Sequence, residues 1–435
     1  MCRAVGLDFG TTNSAIAVAT ADGAAQLATF EADSQRTATF RSILYFFDPR
    51  DEDAGGRQVV AGPAAIPAYR EADPRGRFIQ SMKSFLGSRL FEQTQLFNRV
   101  YRLEDLIAII VRELRMAALE QFGDIGAAVV VGRPVRFAGA PGEDDAAFAL
   151  ERLQAGVRQG GFEQVTFEFE PVAAAAYYET QLDHDELVLI ADFGGGTSDF
   201  SLLHLGPSMR GEANRANRIL GTAGVPIGGN DFDSRFVRHL VAPALGAESE
   251  YRAFSGKLLP MPQELYAELE RWDKLSFLKT RQTLAMLQAI RAQSLEPEKI
   301  GGLLHVIDAD LGYPLYQSVE STKLALSAQH ANAFRFDEPP VVIEQAVTRA
   351  AFEAWIDHYL RQIDDCIDGL LAQCQVAHSQ VDSIFMTGGT SFVPAVQQVF
   401  ERKFSPARLR RGGELTSVAT GLALCAQQRS DGEGI

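Results

Sequence analysis

Val5-Gly6-Leu7-Asp8-Phe9-Gly10-Thr11-Thr12-Asn13-Ser14 leads into the alternating Ala15-Ile16-Ala17-Val18, and about one domain length later Leu189-Ile190-Ala191-Asp192-Phe193-Gly194-Gly195-Gly196-Thr197-Ser198 leads into Asp199-Phe200-Ser201-Leu202-Leu203. Both stretches read as an apolar strand, Asp-Phe-Gly, a turn of glycine and small hydroxyl residues, then a returning strand. One such turn is an ordinary loop. Two at domain spacing are an internal repeat, and the repeat predicts a duplicated α/β domain with a matching hairpin in each half and a cleft between the halves.

The chemistry of the two turns follows from their composition. Glycines and small hydroxyl residues after a buried strand expose several backbone N–H groups with no side-chain bulk, a concavity that suits anions and phosphate above all. Thr11, Thr12 and Thr197 add hydroxyl donors. An aspartate leaving the strand on each side, Asp8 and Asp192, can hold a hydrated Mg²⁺ ion between phosphates, since this ion takes oxygen ligands and keeps much of its water.

Working outward, the 435 residues are 46% hydrophobic and 22% charged, a globular balance. Forty-one basic against 56 acidic residues leave a net charge of −15, which disfavours a nucleic-acid or anionic-membrane surface. The chain shows no apolar run of the length that spans a bilayer and no basic-then-apolar leader at Met1-Cys2-Arg3-Ala4-Val5. Cys2, Cys366, Cys374 and Cys425 form neither a disulfide framework nor a metal knuckle, and a cytoplasmic location is expected. P-loop, dinucleotide-fold, serine-hydrolase and metalloprotease motifs are missing.

Ala127–Val131 and Leu187–Ala191 read as strands. Apolar positions from Phe352 through Trp355, Ile356, Tyr359, Leu360, Ile363, Ile367, Leu370 and Leu371 predict one long amphipathic helix, in which His358, Cys366 and Cys374 are packing residues. Pro262 to about Gln293 reads as helical and peripheral. A last helix is expected over Gly421–Ala426, followed by a polar tail, Gln427–Ile435.

With both hairpins in view, the chain resembles the actin-like ATPase superfamily, and within it the DnaK-type chaperones of the heat shock protein 70 family. The two hairpins match that family in order with Met82-Lys83-Ser84-Phe85-Leu86-Gly87, Gly132-Arg133-Pro134, Glu170-Pro171-Val172-Ala173-Ala174-Ala175-Ala176, Gly228-Gly229-Asn230-Asp231-Phe232-Asp233 and Met386-Thr387-Gly388-Gly389-Thr390-Ser391-Phe392-Val393-Pro394. The similarity covers only the nucleotide-binding half of those chaperones and also looks like the shorter YegD-like branch. It implies a two-lobed actin-like fold of duplicated ribonuclease H-like domains with peripheral subdomains. The lobes are expected at 1–183 and 184–435, with a helical subdomain at about 232–330 and an adenosine motif at about 381–394.

The resemblance further implies ATP bound with magnesium and hydrolysed slowly. Asp8 and Asp192 would hold the metal's water shell. Gly10, Thr11, Thr12 and Asn13, with Gly194, Gly195, Gly196 and Thr197, would cradle phosphates. Lys83 would offset charge near the γ-phosphate, Thr197 would donate to it, and Glu170 and Asp199 would orient the metal waters or the attacking water. Taken without the family, Lys83 is equally a solvated lysine and Glu170 a helix-start acid beside Pro171. Gly228 and Gly229, Gly388 and Gly389, and Glu320, Lys323 and Ser327 fall at nucleotide-contacting positions. Leu324 and Phe392 stand where the chaperones carry arginines, so either base recognition is altered or both are core residues. The adenosine motif is followed by about 40 residues, too few for a peptide-binding domain, so the implied partners are ATP, ADP and a protein or co-chaperone. A small-molecule kinase and a switch that binds nucleotide without hydrolysis are the competing readings.

Overall fold

A computed structural model describes residues 3–20, 23–32, 35–50, 58–72, 76–140, 142–209, 218–253, 255–271, 275–413 and 415–432. By compactness the chain divides into a larger unit, Met1–Gly229 with Tyr359–Ile435, and a smaller one, Asn230–His358. It is a mixed α/β protein, as expected.

Among the described residues, two sheets of the larger unit carry the repeat, beside three smaller ones. The first contains β1 (Val5–Asp8), β2 (Asn13–Ala19), β3 (Ala25–Leu27), β4 (Ala128–Arg133) and β5 (Gln164–Phe169), in the order β5-β4-β1-β2-β3. The second contains β6 (Glu186–Phe193), β7 (Ser198–Leu205), β8 (Ile219–Val225), β9 (Ser383–Thr387) and β10 (Leu409–Arg411), in the order β10-β9-β6-β7-β8. In each sheet the Asp-Phe-Gly strand is antiparallel to the strand that follows it and parallel to a strand from much later in the chain. The two sheets therefore share one connection plan.

Side-chain alternation explains how the first sheet packs. On β2, Ile16 and Val18 face a core shared with helix α1 (Leu103–Phe122), and Ala15, Ala17 and Ala19 face Ala419 and Ala423 on the other side. A helix α2 (Glu143–Gln159) completes the first core. The alanine side is lean because helix α4 (Ser417–Gly432) comes close to it, while a further helix, α3 (Glu170–Glu179), packs against α4 in turn. A Cβ on Gly421 would stand 1.7 Å from the Ala173 carbonyl oxygen, and one on Gly6 would stand 2.2 Å from the Ala423 nitrogen. Strand β6 is buried along its whole length, in keeping with its continuous apolar run.

The smaller unit contains helices Pro297–Asp308 and Gly312–Ala328 and an antiparallel hairpin, Ala331–Glu338 with Val341–Thr348. The stretch expected to be helical from Pro262 resolves into three helices, Gln263–Leu269, Leu275–Leu278 and Arg281–Gln293, with residues 272–274 outside the described set. The long helix expected from Phe352 runs Arg349–Gln373. The expected polar tail is corrected in part: Gln427 to Gly432 continue α4, and 433–435 lie outside the described residues. Cys366 and Cys374 are half-buried free thiols, Cys425 is buried, and Cys2 lies outside the described residues. Burial pushes the Cys366 thiol up to about 11, which keeps it inert. Among the described residues no helix is long and apolar enough to cross a membrane.

Candidate active site

Each hairpin turn is braced by short polar contacts. In the first, the Gly10 N–H donates to Ser14 Oγ at 3.2 Å, Ser14 Oγ meets Ser42 Oγ at 2.8 Å, and the Ser42 N–H donates to the Thr12 carbonyl at 2.9 Å. In the second, the Gly194 N–H donates to the Thr197 carbonyl at 2.9 Å and the Gly229 N–H to the Gly194 carbonyl at 3.1 Å. Gly228 has to be a glycine here, since a Cβ would stand 2.6 Å from the Gly195 carbonyl and the Gly196 nitrogen. Gly388, at φ +83°, closes on β6 so tightly that a Cβ would stand 2.1 Å from the Phe193 carbonyl oxygen. Thr390 Oγ1 donates to the Gly194 carbonyl at 3.4 Å.

The two turns meet. A Cβ built on Gly196 would stand 3.4 Å from Thr11 Oγ1 and 3.6 Å from Ser84 Oγ. A side chain at Gly196 would project against Thr11 and Ser84.

Beneath them lies a cluster of five charged groups. Asp8 ends β1, Asp192 and Asp199 are cross-strand partners on β6 and β7, and Glu170 begins α3. Lys83 sits on a single turn, Met82–Phe85, entered through Ser81 in the left-handed region at φ 54°. That conformation is uncommon for a side chain larger than glycine and costs about 1–3 kcal/mol. Lys83 Nζ lies 2.5 Å from Glu170 Oε1, and both groups are buried. Glu170 is thus both the helix-start acid and an ion-pair partner, while Lys83 is not a solvated lysine.

Four carboxylates share one lysine. Burial pushes Asp8 up to about 7, with Lys83 opposing and Glu170 adding to the rise. Burial raises Asp192 well above the usual carboxylate range, reinforced by Glu170, Asp8 and Asp199. Asp199, only 1% exposed, is likewise at about 7 through burial and the Glu170 charge, despite hydrogen bonds from Thr197 and from the Val135 N–H at 2.9 Å. On Lys83, burial is outweighed by Glu170, Asp8 and Asp192, and its pKa is raised. Surplus negative charge of this kind is what a divalent cation neutralises. Among the described residues no three carboxylate, histidine or cysteine groups close on one point as direct ligands. The all-oxygen donors of Asp8, Asp192, Glu170 and Asp199 suit hydrated magnesium, which takes oxygen ligands and keeps much of its water.

The sequence assigns no role to two arginines near Lys83 and Glu170, although Arg133 stands in the Gly132-Arg133-Pro134 motif. Arg152 on α2, 5% exposed, bonds Glu104 Oε1 at 2.7 Å and the carbonyls of Phe85, Ser88 and Phe91 at 3.3, 3.2 and 2.9 Å, clamping the segment that follows Lys83. Arg133 ends β4 with its guanidinium carbon 4.9 Å from the Phe169 ring centroid and 5.7 Å from that of Phe137. Both depend on partners far away in sequence.

The chain matches the model of the Hsp70 protein family over residues 87–252 and 310–430. It belongs to the Hsp70 family. It is 26% identical to the chaperone protein DnaK of Thermus thermophilus, covering 98% of this chain and 61% of that protein. To the chloroplastic heat shock 70 kDa protein 6 of Arabidopsis thaliana it is 25% identical, covering 92% of this chain and 48% of that one. The chain thus spans about half to three fifths of the length of these relatives. The first hairpin and Lys83 precede the segments matched by the family model.

Three further candidates of this Hsp70-family chain belong to the smaller unit. Glu320, Lys323 and Ser327 share the helix Gly312–Ala328. Lys323 Nζ pairs with the buried Asp233 at 2.6 Å, and Ser327 Oγ donates to the Lys323 carbonyl at 3.0 Å. Leu324 is 67% exposed, and Phe392 in the larger unit is 41% exposed. Neither is a core residue, which removes one of the two readings left open for them.

Proposed function

We propose that this chain binds ATP as its magnesium complex and hydrolyses it slowly at the cluster of Asp8, Lys83, Glu170, Asp192 and Asp199. The observation that carries this reading is the meeting of two matching aspartate-led turns at Thr11 and Gly196, above a buried lysine among four carboxylates. The shared strand plan of the two sheets supports the reading of 1–183 and 184–435 as duplicated ribonuclease H-like lobes of an actin-like ATPase.

In this reading the turns Gly10–Asn13 and Gly194–Thr197 cradle phosphates with backbone N–H groups. Asp8 and Asp192 are the residues that would hold hydrated magnesium, which neutralises phosphate charge when bound. Lys83 offsets charge at the γ-phosphate, Thr197 donates a hydrogen bond to it, and Glu170 and Asp199 orient the attacking water. The water oxygen bonds to the γ-phosphorus, the bond to the bridging oxygen breaks with its electron pair leaving on ADP, and the proton of the attacking water passes to an oxygen of the released phosphate. Phosphoryl transfer asks the protein for positioning and charge neutralisation, and these residues supply both. Gly228 and Gly229 set the second turn, while Gly388, Gly389 and Phe392 are the candidates for the nucleoside side. Glu320, Lys323 and Ser327 are nucleoside candidates by resemblance to the family. Relatives named as chaperones support a protein partner that responds to the nucleotide state.

Single-turnover hydrolysis tests the assignment. Wild-type protein is expected to form ADP in a magnesium-dependent reaction, and Asp192→Asn and Lys83→Ala to lose about 100-fold or more, as for removal of a preorganised charge-stabilising group. Near-wild-type turnover in both variants would refute it.

A further inference from the structure

Arg133 stands in the chain between Gly132 and Val135, which approach two of the carboxylates assigned to the attacking water. On one side of it, a Cβ at Gly132 would stand 3.1 Å from Glu170 Cγ and 3.6 Å from Glu170 Oε1. On the other, the Val135 N–H donates to Asp199 Oδ1 at 2.9 Å. Its register partner on β5 is Phe169, the residue that precedes Glu170. Despite these neighbours Arg133 pairs with neither carboxylate. Its Nε donates weakly to the Pro134 carbonyl at 3.4 Å, and among the described residues neither terminal nitrogen has an acceptor. The guanidinium instead lies over Phe169 and Phe137. Glu170 and Asp199 are near enough to oppose the lowering of its pKa by burial.

A half-buried arginine held by aromatic stacking, with its terminal nitrogens uncommitted, is a preorganised partner for a tetrahedral oxyanion. Arginine binds such groups with two parallel hydrogen bonds. The side of the cluster on which it sits decides which anion. In an in-line displacement the phosphorus moves away from ADP and toward the attacking oxygen, hence toward the side held by Glu170 and Asp199. We propose that Arg133 is the docking residue for the inorganic phosphate formed by hydrolysis, retaining it before it leaves. This rests on the ATPase reading above.

The test is calorimetric titration of inorganic phosphate into the magnesium–ADP complex of wild type, Arg133→Gln and Arg133→Lys, after magnesium–ATP affinity has been measured for each. Phosphate affinity is expected to fall by about tenfold or more in Arg133→Gln, the loss of one charge-assisted contact. That loss is expected to be several times larger than any loss in magnesium–ATP affinity, with partial recovery in Arg133→Lys, which keeps the charge and lacks the planar pair of donors. Equal phosphate affinity in all three proteins overturns the assignment of Arg133 while leaving the ATPase reading in place. A wild-type protein that does not bind magnesium–ATP overturns the ATPase reading, and the assignment of Arg133 with it. Should Arg133→Gln fail to fold, the comparison of wild type with Arg133→Lys decides: equal phosphate affinity in those two overturns the assignment.

Discussion

Lys83 Nζ stands 2.5 Å from Glu170 Oε1, joining a one-turn segment to the first residue of a helix 87 positions later. Removing one partner of such a buried pair leaves the other charge uncompensated, at a cost of about 3–5 kcal/mol. The two removals are not equivalent. Glu170→Gln leaves the lysine with Asp8 and Asp192 as counter-charges, whereas Lys83→Met leaves four carboxylates with only the half-buried Arg133, which reaches Glu170 and Asp199. Urea unfolding is expected to show the larger loss for Lys83→Met, and a double variant less destabilised than the sum of the two single ones.

The carboxylate cluster sets a pH dependence whose sign can be worked out. Asp8 and Asp199 rise from the ordinary value of 3.8 to about 7 on folding. Between those values the folded state binds more protons than the unfolded one, so these groups lower stability as pH climbs through that window. Melting of the metal-free protein is expected to shift down between about pH 4 and pH 7 from this source. Added magnesium is expected to recover part of the loss at pH 7 and little at pH 5. Asp192→Asn, which removes one of the repelling charges, is expected to melt at or above the wild-type temperature at pH 7 in the absence of magnesium.

Gly421 is the point at which α4 crosses α3, with no room for a methyl group beside the Ala173 carbonyl. Gly421→Ala raises helix propensity by about 1 kcal/mol, yet overpacking costs about 1–3 kcal/mol or more. The expected outcome is net destabilisation in urea, against what propensity alone would give. A stabilised variant would show that the crossing is looser than described.

Arg152 holds the segment after Lys83 by three of its carbonyls and by Glu104. Arg152→Met is expected to lose about 3 kcal/mol or more, because a half-buried carboxylate and three carbonyls lose their donor. Hydrogen exchange should rise first in residues 85–91. Uniform exchange across the chain would contradict a local clamp.

Much of this architecture was readable in the sequence because it rests on local pattern. The strand–Asp-Phe-Gly–strand repeat corresponds to β1–β2 and β6–β7, and the apolar spacing from Phe352 to the helix Arg349–Gln373. What was not readable depends on contacts between distant residues. Leu324 and Phe392 are apolar side chains left exposed, and apolarity alone does not distinguish a core position from a surface one. The role of Arg133 depends on Phe137 and Phe169, and that of Arg152 on carbonyls more than sixty positions earlier, neither of which has a spacing signature. The extension of α4 through Gln427 to Gly432 is not legible in the sequence, because a run of polar residues at a helix end reads as a tail.

The most direct measurement is calorimetric titration of ATP into the wild-type protein, once with magnesium and once with a chelator. The paired turns and their carboxylates should give saturable one-to-one binding with magnesium, weakened by about tenfold or more without it, a difference of about 1.4 kcal/mol or more. No saturation in magnesium, or isotherms indifferent to the metal, would contradict the central claim that the two hairpins hold a triphosphate together with its cation.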